Sequence, residues 1–153
     1  MPQTSIRIDT TDFDVAVEYD RLCQSDSGAG AVVFFVGRVR SDNEQQQVEA
    51  LELQHYPGMT EKLIEKICDQ ARQRWSLRNI SLVHRVGQLI PGEQIVFVGV
   101  SSAHRTDALE SAHFIMDYLK TEATFWKKER RAGEAVWLEQ RHSDHRARDK
   151  WQS

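Results

Sequence analysis

ISLVHRVGQLIPGEQIVFVGVSSAHRTDALESAHFIMDYLKTEATFWKKERRAGEAVWL, residues 80–138, decides the fold. Ile80, Leu82, His84 and Val86 alternate as a strand. Pro91-Gly92 marks a connection, and the apolar run IVFVGV at 95–100 reads as a buried strand. Ala108, Ala112, Ile115, Met116, Leu119 and Ala123 then keep helical spacing, which predicts a helix with one buried face. Thr106 is suited to cap it, and Asp107 to meet the positive end of its dipole. FWKKE and AVWLE follow as a hairpin around Arg131-Ala132-Gly133-Glu134. Strands that succeed one another without a helical crossover favour a mixed α+β fold over a doubly wound parallel sheet. The expected fold is α+β: a mixed, largely antiparallel sheet with about three helices and a C-terminal β-hairpin.

Outward from this stretch, Ile6 to Asp9 reads as a short edge strand. Asp14 caps a short helix through Val17 and Tyr19 to Leu22 and Cys23. SDSGAG at 25–30 is a loop. AVVFFV at 31–36 reads as a buried strand ending at Gly37-Arg38-Val39-Arg40. The polar segment 41–47 carries no structured pattern and is expected to be mobile, whereas VEALELQH at 48–55 has strand character. Pro57-Gly58 turns the chain into a helix with Leu63, Ile64, Ile67, Cys68, Ala71 and Trp75 on its apolar face. No domain boundary is marked, so residues 1–153 read as one domain. The charged stretch 141–153 is expected to be a flexible tail that orders only against a partner.

A chain of 153 residues can bury a core sufficient for independent folding. Its net charge of −3 argues against general nucleic-acid binding. The charge is uneven: residues 1–30 carry a balance of −4 and residues 120–150 one of +3. That distribution suits a local anion pocket better than a nucleic-acid groove. Cys23 and Cys68 are too few for a disulfide framework and read as buried thiols in a reducing cytoplasm. The N-terminal MPQTSIRIDTTDF lacks the apolar core of a signal peptide, and no apolar run approaches a membrane span. A cytoplasmic location is expected.

Cations cluster where chemistry is plausible. His104 and Arg105 sit at a helix start beside unpaired backbone N–H groups, a ready anion site. Lys120 lies at the rim of the buried face at the other end, where partial desolvation can tune its charge and nucleophilicity. Cations at both ends of one helix point to a phosphorylated or carboxylated substrate. Arg38 and Arg40 share a strand face while Val39 points the other way; they are either a solvated pair or anion binders. Lys127 and Glu129 share a face with Phe125, and Lys128 points oppositely beside Trp126. An exposed, charge-rich hairpin is the plainer reading of those three. Phe34, Phe35, Met116 and Trp126 read as core.

The six histidines form no HExxH or Cys-His cluster, so no metal site is expected. His84 alternates with core positions and reads as a satisfied buried histidine. His113, His142 and His145 have no identifiable acidic second shell. No Ser-His-Asp spacing or phosphate-cradling glycine loop supports a hydrolase or a P-loop enzyme.

FFVGRVR at 34–40, HYPGMTEK at 55–62, HRVGQLIPGEQIVFVGVSSAHR at 84–105 and FIMDYLKTEATFWKKE at 114–129 together carry a resemblance. Over nearly its whole length the chain resembles the large, catalytic subunit of the molybdopterin synthase family. The resemblance implies an α+β sulfurtransferase subunit that forms a homodimer and takes one small ubiquitin-like sulfur carrier at each end, giving a heterotetramer. The carrier's C-terminal Gly-Gly tail, as a thiocarboxylate, would deliver sulfur to cyclic pyranopterin monophosphate. Two transfers would build the molybdopterin dithiolene during molybdenum cofactor biosynthesis. No metal or other cofactor is implied for this subunit. The family's essential lysines fall on Lys120 and Lys127, which also belong to the substrate site. Its other substrate-contacting positions fall on Arg38, Val39, Arg40, His104, Arg105, Lys128 and Glu129. Some members have lysine at the place of Arg38, which keeps the charge but changes the hydrogen-bonding fork.

Sixteen helical residues from Thr106 to Thr121 span about 24 Å. His104-Arg105 and Lys120 of one chain then lie too far apart for one small substrate. The expectation is a composite site, with His104 and Arg105 of one subunit facing Lys120, Lys127 and Arg40 of the other. The rival class is a non-catalytic docking module for a ubiquitin-like protein.

Overall fold

The computed structural model describes residues 2–24, 26–138 and 142–152. The elements follow as β1 (Thr4–Asp9), α1 (Val15–Cys23), β2 (Ala31–Arg38), β3 (Asp42–Asn43), β4 (Gln46–Gln47) and β5 (Ala50–His55). Then come α2 (Met59–Arg74), β6 (Ile80–Arg85), β7 (Gly87–Leu89), β8 (Gln94–Ser102), α3 (Arg105–Glu122), β9 (Phe125–Arg131), β10 (Glu134–Leu138) and α4 (His142–Asp149).

One four-stranded sheet has the order β1-β6-β8-β2. β1 and β6 are parallel, and the other pairs are antiparallel. Because β6 is an inner strand, all six of its residues are buried rather than every second one. One face meets α2 and α3 through a core that includes Ile64, Ile67, Leu82, Val98, Phe114 and Ile115. The other is covered by α1 and its approach, with Phe13 and Leu22 against Val83 and Phe97. Asp14 caps α1, its carboxylate accepting from the backbone N–H of Ala16 at 2.9 Å. Gly58, at φ +85°, turns the chain into α2, and its N–H donates to Glu61 at 3.1 Å.

The second sheet, β10-β9-β5-β7, is antiparallel throughout. Val39, Val48, Leu51, Leu53 and Leu89 pack beneath it. The β9–β10 hairpin turns at Ala132 and Gly133, both in the left-handed region.

Several expectations need correction. β2 is an edge strand, and Phe34 and Phe35 are 42% and 44% exposed. Both faces of a strand are buried only where layers cover it above and below; β2 pairs with β8 alone, and at this edge of the sheet the cover is incomplete. Trp126 is likewise exposed. The polar segment 41–47 holds the β3–β4 hairpin, turned by Glu44 and Gln45 at φ +51° and +67°. Two consecutive non-glycine residues there cost about 1–2 kcal/mol each, so the hairpin depends on contacts elsewhere. α3 starts two residues earlier than Thr106 capping requires: His104 is its N-cap and makes no side-chain cap bond. β7 and α4 add to the expected elements. The described part of the tail lies on its own chain, where Trp151 meets Phe114 edge-on at 5.5 Å and donates to Asp117 at 2.7 Å.

Candidate functional site

His84 organises the site. Its strand carries it into the core, where the ring stacks on Phe125 with centroids 3.8 Å apart. Nδ1 lies 2.8 Å from the backbone carbonyl of Arg85. A carbonyl only accepts, so Nδ1 carries the proton and Nε2 keeps its lone pair. Burial pushes the pKa down to about 3; the bond to Arg85 opposes this, and the charges of Lys127, Lys120 and His55 reinforce it. The imidazole is therefore neutral at physiological pH. The charges acting on this ring come from Lys120, exposed in the last turn of α3, from Lys127 on β9 and from His55 at the end of β5.

Phe125, Lys127, Glu129 and Arg131 alternate onto one face of β9. Glu129 lies one pleat beyond Lys127, about 7 Å along the strand. It is buried, ion-pairs with Arg131 and accepts from Asn43 Nδ2 at 3.1 Å. Asn43 Oδ1 in turn accepts from Arg40 Nη2 at 3.2 Å. Arg40 is thus joined to the lysine-bearing strand through the small hairpin. Sequence reasoning missed both Asn43 and the role of His84; a polar segment without periodicity offered no signal for the former.

Other expected site residues are placed differently. Arg38 folds back so that Nε and Nη2 both donate to the carbonyl of Gly92, at 3.2 and 3.1 Å. Val39 buries its side chain in the second core, and its N–H donates to Glu93 at 2.9 Å. Lys128 points to the other face of β9, over the ring of Trp137 at 5.0 Å. There it lines a recess of about 180 Å³ with Glu52, Gln88 and Arg130. His104 and Arg105 are exposed at the far end of α3. With 1.5 Å rise per residue, Arg105 and Lys120 of one chain are about 22 Å apart along the helix.

Among the described residues no three His, Cys, Asp or Glu side chains are grouped to hold a metal ion. His113 does have an acidic neighbour, Asp117 at 3.5 Å, an α3 contact one turn away that spacing alone did not single out. Both cysteines are free, and burial raises the Cys68 pKa to about 12, which leaves it a poor nucleophile. What remains is a cationic site beside a neutral, fixed imidazole: suited to anions, to oxyanion stabilisation and to proton movement.

The MoaE protein family matches this chain over residues 8–122. A molybdopterin synthase catalytic subunit of Yersinia pestis is 54% identical over 151 residues, covering 99% of each chain. The chain belongs to the MoaE family. A second relative, the molybdopterin synthase catalytic subunit of Vibrio cholerae serotype O1, is 51% identical over 96% of this chain and 97% of its own. Among solved structures, the molybdopterin biosynthesis MoaE protein of Burkholderia ambifaria MC40-6 is 46% identical. It superposes with a TM-score of 0.85 and covers 99% of both chains. The α+β architecture is thus the family's, and the cationic site lies within a MoaE fold.

Proposed function

We propose that this chain is the catalytic subunit of a molybdopterin synthase. It moves sulfur from the thiocarboxylated Gly-Gly tail of a small ubiquitin-like carrier to cyclic pyranopterin monophosphate, and two transfers form the dithiolene. The observation that carries this reading is the buried link from Arg40 through Asn43 to Glu129, one pleat from Lys127 on the strand whose Phe125 stacks on His84, a ring that also feels the charge of Lys120. A relative described as a catalytic subunit implies at least one further subunit, which fits the carrier.

Both reactants are anionic, and the site opposes them with cations. Arg40, with His104 and Arg105, binds the phosphate; Arg38, Val39, Lys128 and Glu129 complete the substrate-binding set. Arg38 and Val39 serve it by shaping the strand end, given their contacts to Gly92 and Glu93. As the C–S bond to the carrier's acyl carbon breaks, sulfur bonds to a pterin side-chain carbon whose C–O bond breaks, the departing oxygen taking a proton; a water oxygen bonds to the acyl carbon, and the carrier departs as a carboxylate. Lys120 and Lys127 stabilise the oxyanions of these steps and exchange protons with them. Attack by Lys120 on the acyl carbon is the covalent variant of the same assignment. The setting is the cytoplasm, where two unpaired cysteines stay reduced.

The working unit is a homodimer with a shared site, capped by one carrier at each end. Edge strand β2 supports this arrangement. It offers an unpaired backbone edge, with Phe34 and Phe35 exposed on opposite faces and Leu109 of α3 exposed as well. β2 begins beside Ser102, just before α3, and ends at Arg38 near the Arg40 pole. Two such edges paired antiparallel about a two-fold axis set the start of one against the end of the other. Eight strand residues span about 27 Å, which matches the separation of the two poles along α3. The partner's His104 and Arg105 then face Lys120, Lys127 and Arg40.

The test is to mix the chain with a thiocarboxylated carrier and cyclic pyranopterin monophosphate and to measure molybdopterin. Product that disappears with Lys120→Ala supports the reading. Carrier binding without product, using an active carrier and intact substrate, favours a docking module instead.

A further inference from the structure

We propose that Asn43 is a positioning residue for Arg40, tying its guanidinium to the buried carboxylate of Glu129. The inference rests on the sulfur-transfer reading and deepens it. Arg40 Nη2 donates to Asn43 Oδ1 at 3.2 Å, and Asn43 Nδ2 donates to Glu129 Oε2 at 3.1 Å. Asn43 is 8% exposed and Glu129 4%, although Asp42 and Glu44 beside Asn43 are exposed. One residue of a polar hairpin is thus drawn inward, against a turn whose backbone is strained at Glu44 and Gln45.

The chemistry restricts what can stand at position 43. A guanidinium has only donors and an ionised carboxylate only acceptors. A short bridge between them needs an acceptor and a donor on adjacent atoms, which an amide supplies. The same requirement fixes the orientation of the Asn43 amide. Aspartate would set a second carboxylate against Glu129, and alanine would take a donor from a buried oxygen. Arg131 balances the charge of Glu129 and makes it an anchor. Through Asn43 and Arg40, Glu129 also acts on the substrate at a distance. An exposed arginine loses rotamer freedom on binding phosphate, and a tether that holds it beforehand reduces that loss.

The experiment is a double-mutant cycle on the full chain with an active thiocarboxylated carrier. KM for cyclic pyranopterin monophosphate and kcat are measured for Arg40→Ala, Asn43→Ala and the double variant, with the melting temperature of each. Asn43→Ala is expected to raise KM about tenfold with a smaller change in kcat, and the double variant to be no worse than Arg40→Ala. Additive losses, or an unchanged KM in Asn43→Ala beside a raised KM in Arg40→Ala, overturn the positioning role. A wild-type KM in Arg40→Ala overturns the substrate role of Arg40 itself and places the failure in the underlying reading. Should the alanine variant not fold, Asn43→Leu, close to asparagine in shape but with no atom to accept from Arg40 or donate to Glu129, carries the same cycle with the same expectations.

Discussion

The two ends of α3 both present cations, yet they are built differently. At the C-terminal end Lys120 is joined by Lys127, a stacked and buried His84, and the chain of contacts from Glu129 to Arg40. At the N-terminal end His104 and Arg105 are exposed, and neither side chain has a hydrogen bond or ion pair among the described residues. At the first end the chain's own contacts hold His84, Glu129 and Arg40, although Lys120 itself is exposed; the other end is a cation pair without such contacts. A helix of 18 residues keeps them apart. On the proposed reading, a single chain holds most of one site and a detached fragment of another. Edge strand β2 offers the means to bring the two together.

The largest expected effect breaks the comparison at its organised end. Lys120→Ala and Lys127→Ala should each lower molybdopterin formation by about 10²–10⁴-fold, measured in single turnovers with carrier saturating. A folded Lys120→Ala protein with near-normal turnover would remove that residue from the chemistry. Arg105→Ala should cost about tenfold or more in affinity for the pterin monophosphate, through loss of a charge-assisted contact. Equal pterin affinity in Arg105→Ala and wild type would leave the exposed end without a role in binding.

A third prediction sharpens the account of the buried end through pH. The folded pKa of His84 is depressed to about 3 from 6.5, with Lys120 on α3, Lys127 on β9 and His55 on β5 facing it. The unfolded chain therefore takes up this proton first as pH falls. Stability from the neutral ring is present above pH 6.5 and is lost progressively as pH falls towards 3. The loss is about 1.4 kcal/mol per pH unit at most. Denaturant unfolding of His84→Gln should show a shallower pH slope over that window than wild type. Parallel slopes would mean that the ring is not held neutral.

The smallest effect concerns the hairpin that carries Asn43. Replacing Glu44-Gln45 by Asn-Gly, suited to two left-handed residues, should raise stability by about 1 kcal/mol and leave pterin KM unchanged. A lower melting temperature would show that the native turn is not strained.

Much of the fold was legible because it rests on local patterns. The Asp14 cap, the apolar face of α2 and the turn at Ala132-Gly133 each leave a signal in neighbouring residues. The edge position of β2 left none, because AVVFFV looks the same whether a strand or a second subunit lies beside it. The β3–β4 hairpin was hidden for a different reason. Its turn uses Glu44 and Gln45 where Asn or Gly would have announced left-handed backbone. In the site, the spacing from Arg105 to Lys120 already separated the two cation groups. The stacking of His84 on Phe125 joins residues far apart in sequence, and the bridge at Asn43 joins partners 86 residues apart. Periodicity cannot report either.

The most direct test of the shared site is complementation. Arg105→Ala and Lys120→Ala chains are mixed under conditions where subunit exchange is verified, and molybdopterin formation is measured at a pterin concentration well below KM, where each variant alone has about a tenth of wild-type activity or less. Random exchange leaves one intact site in each heterodimer, so activity should return to about a quarter of wild type. Complete exchange with no recovered activity would contradict a site built from both subunits.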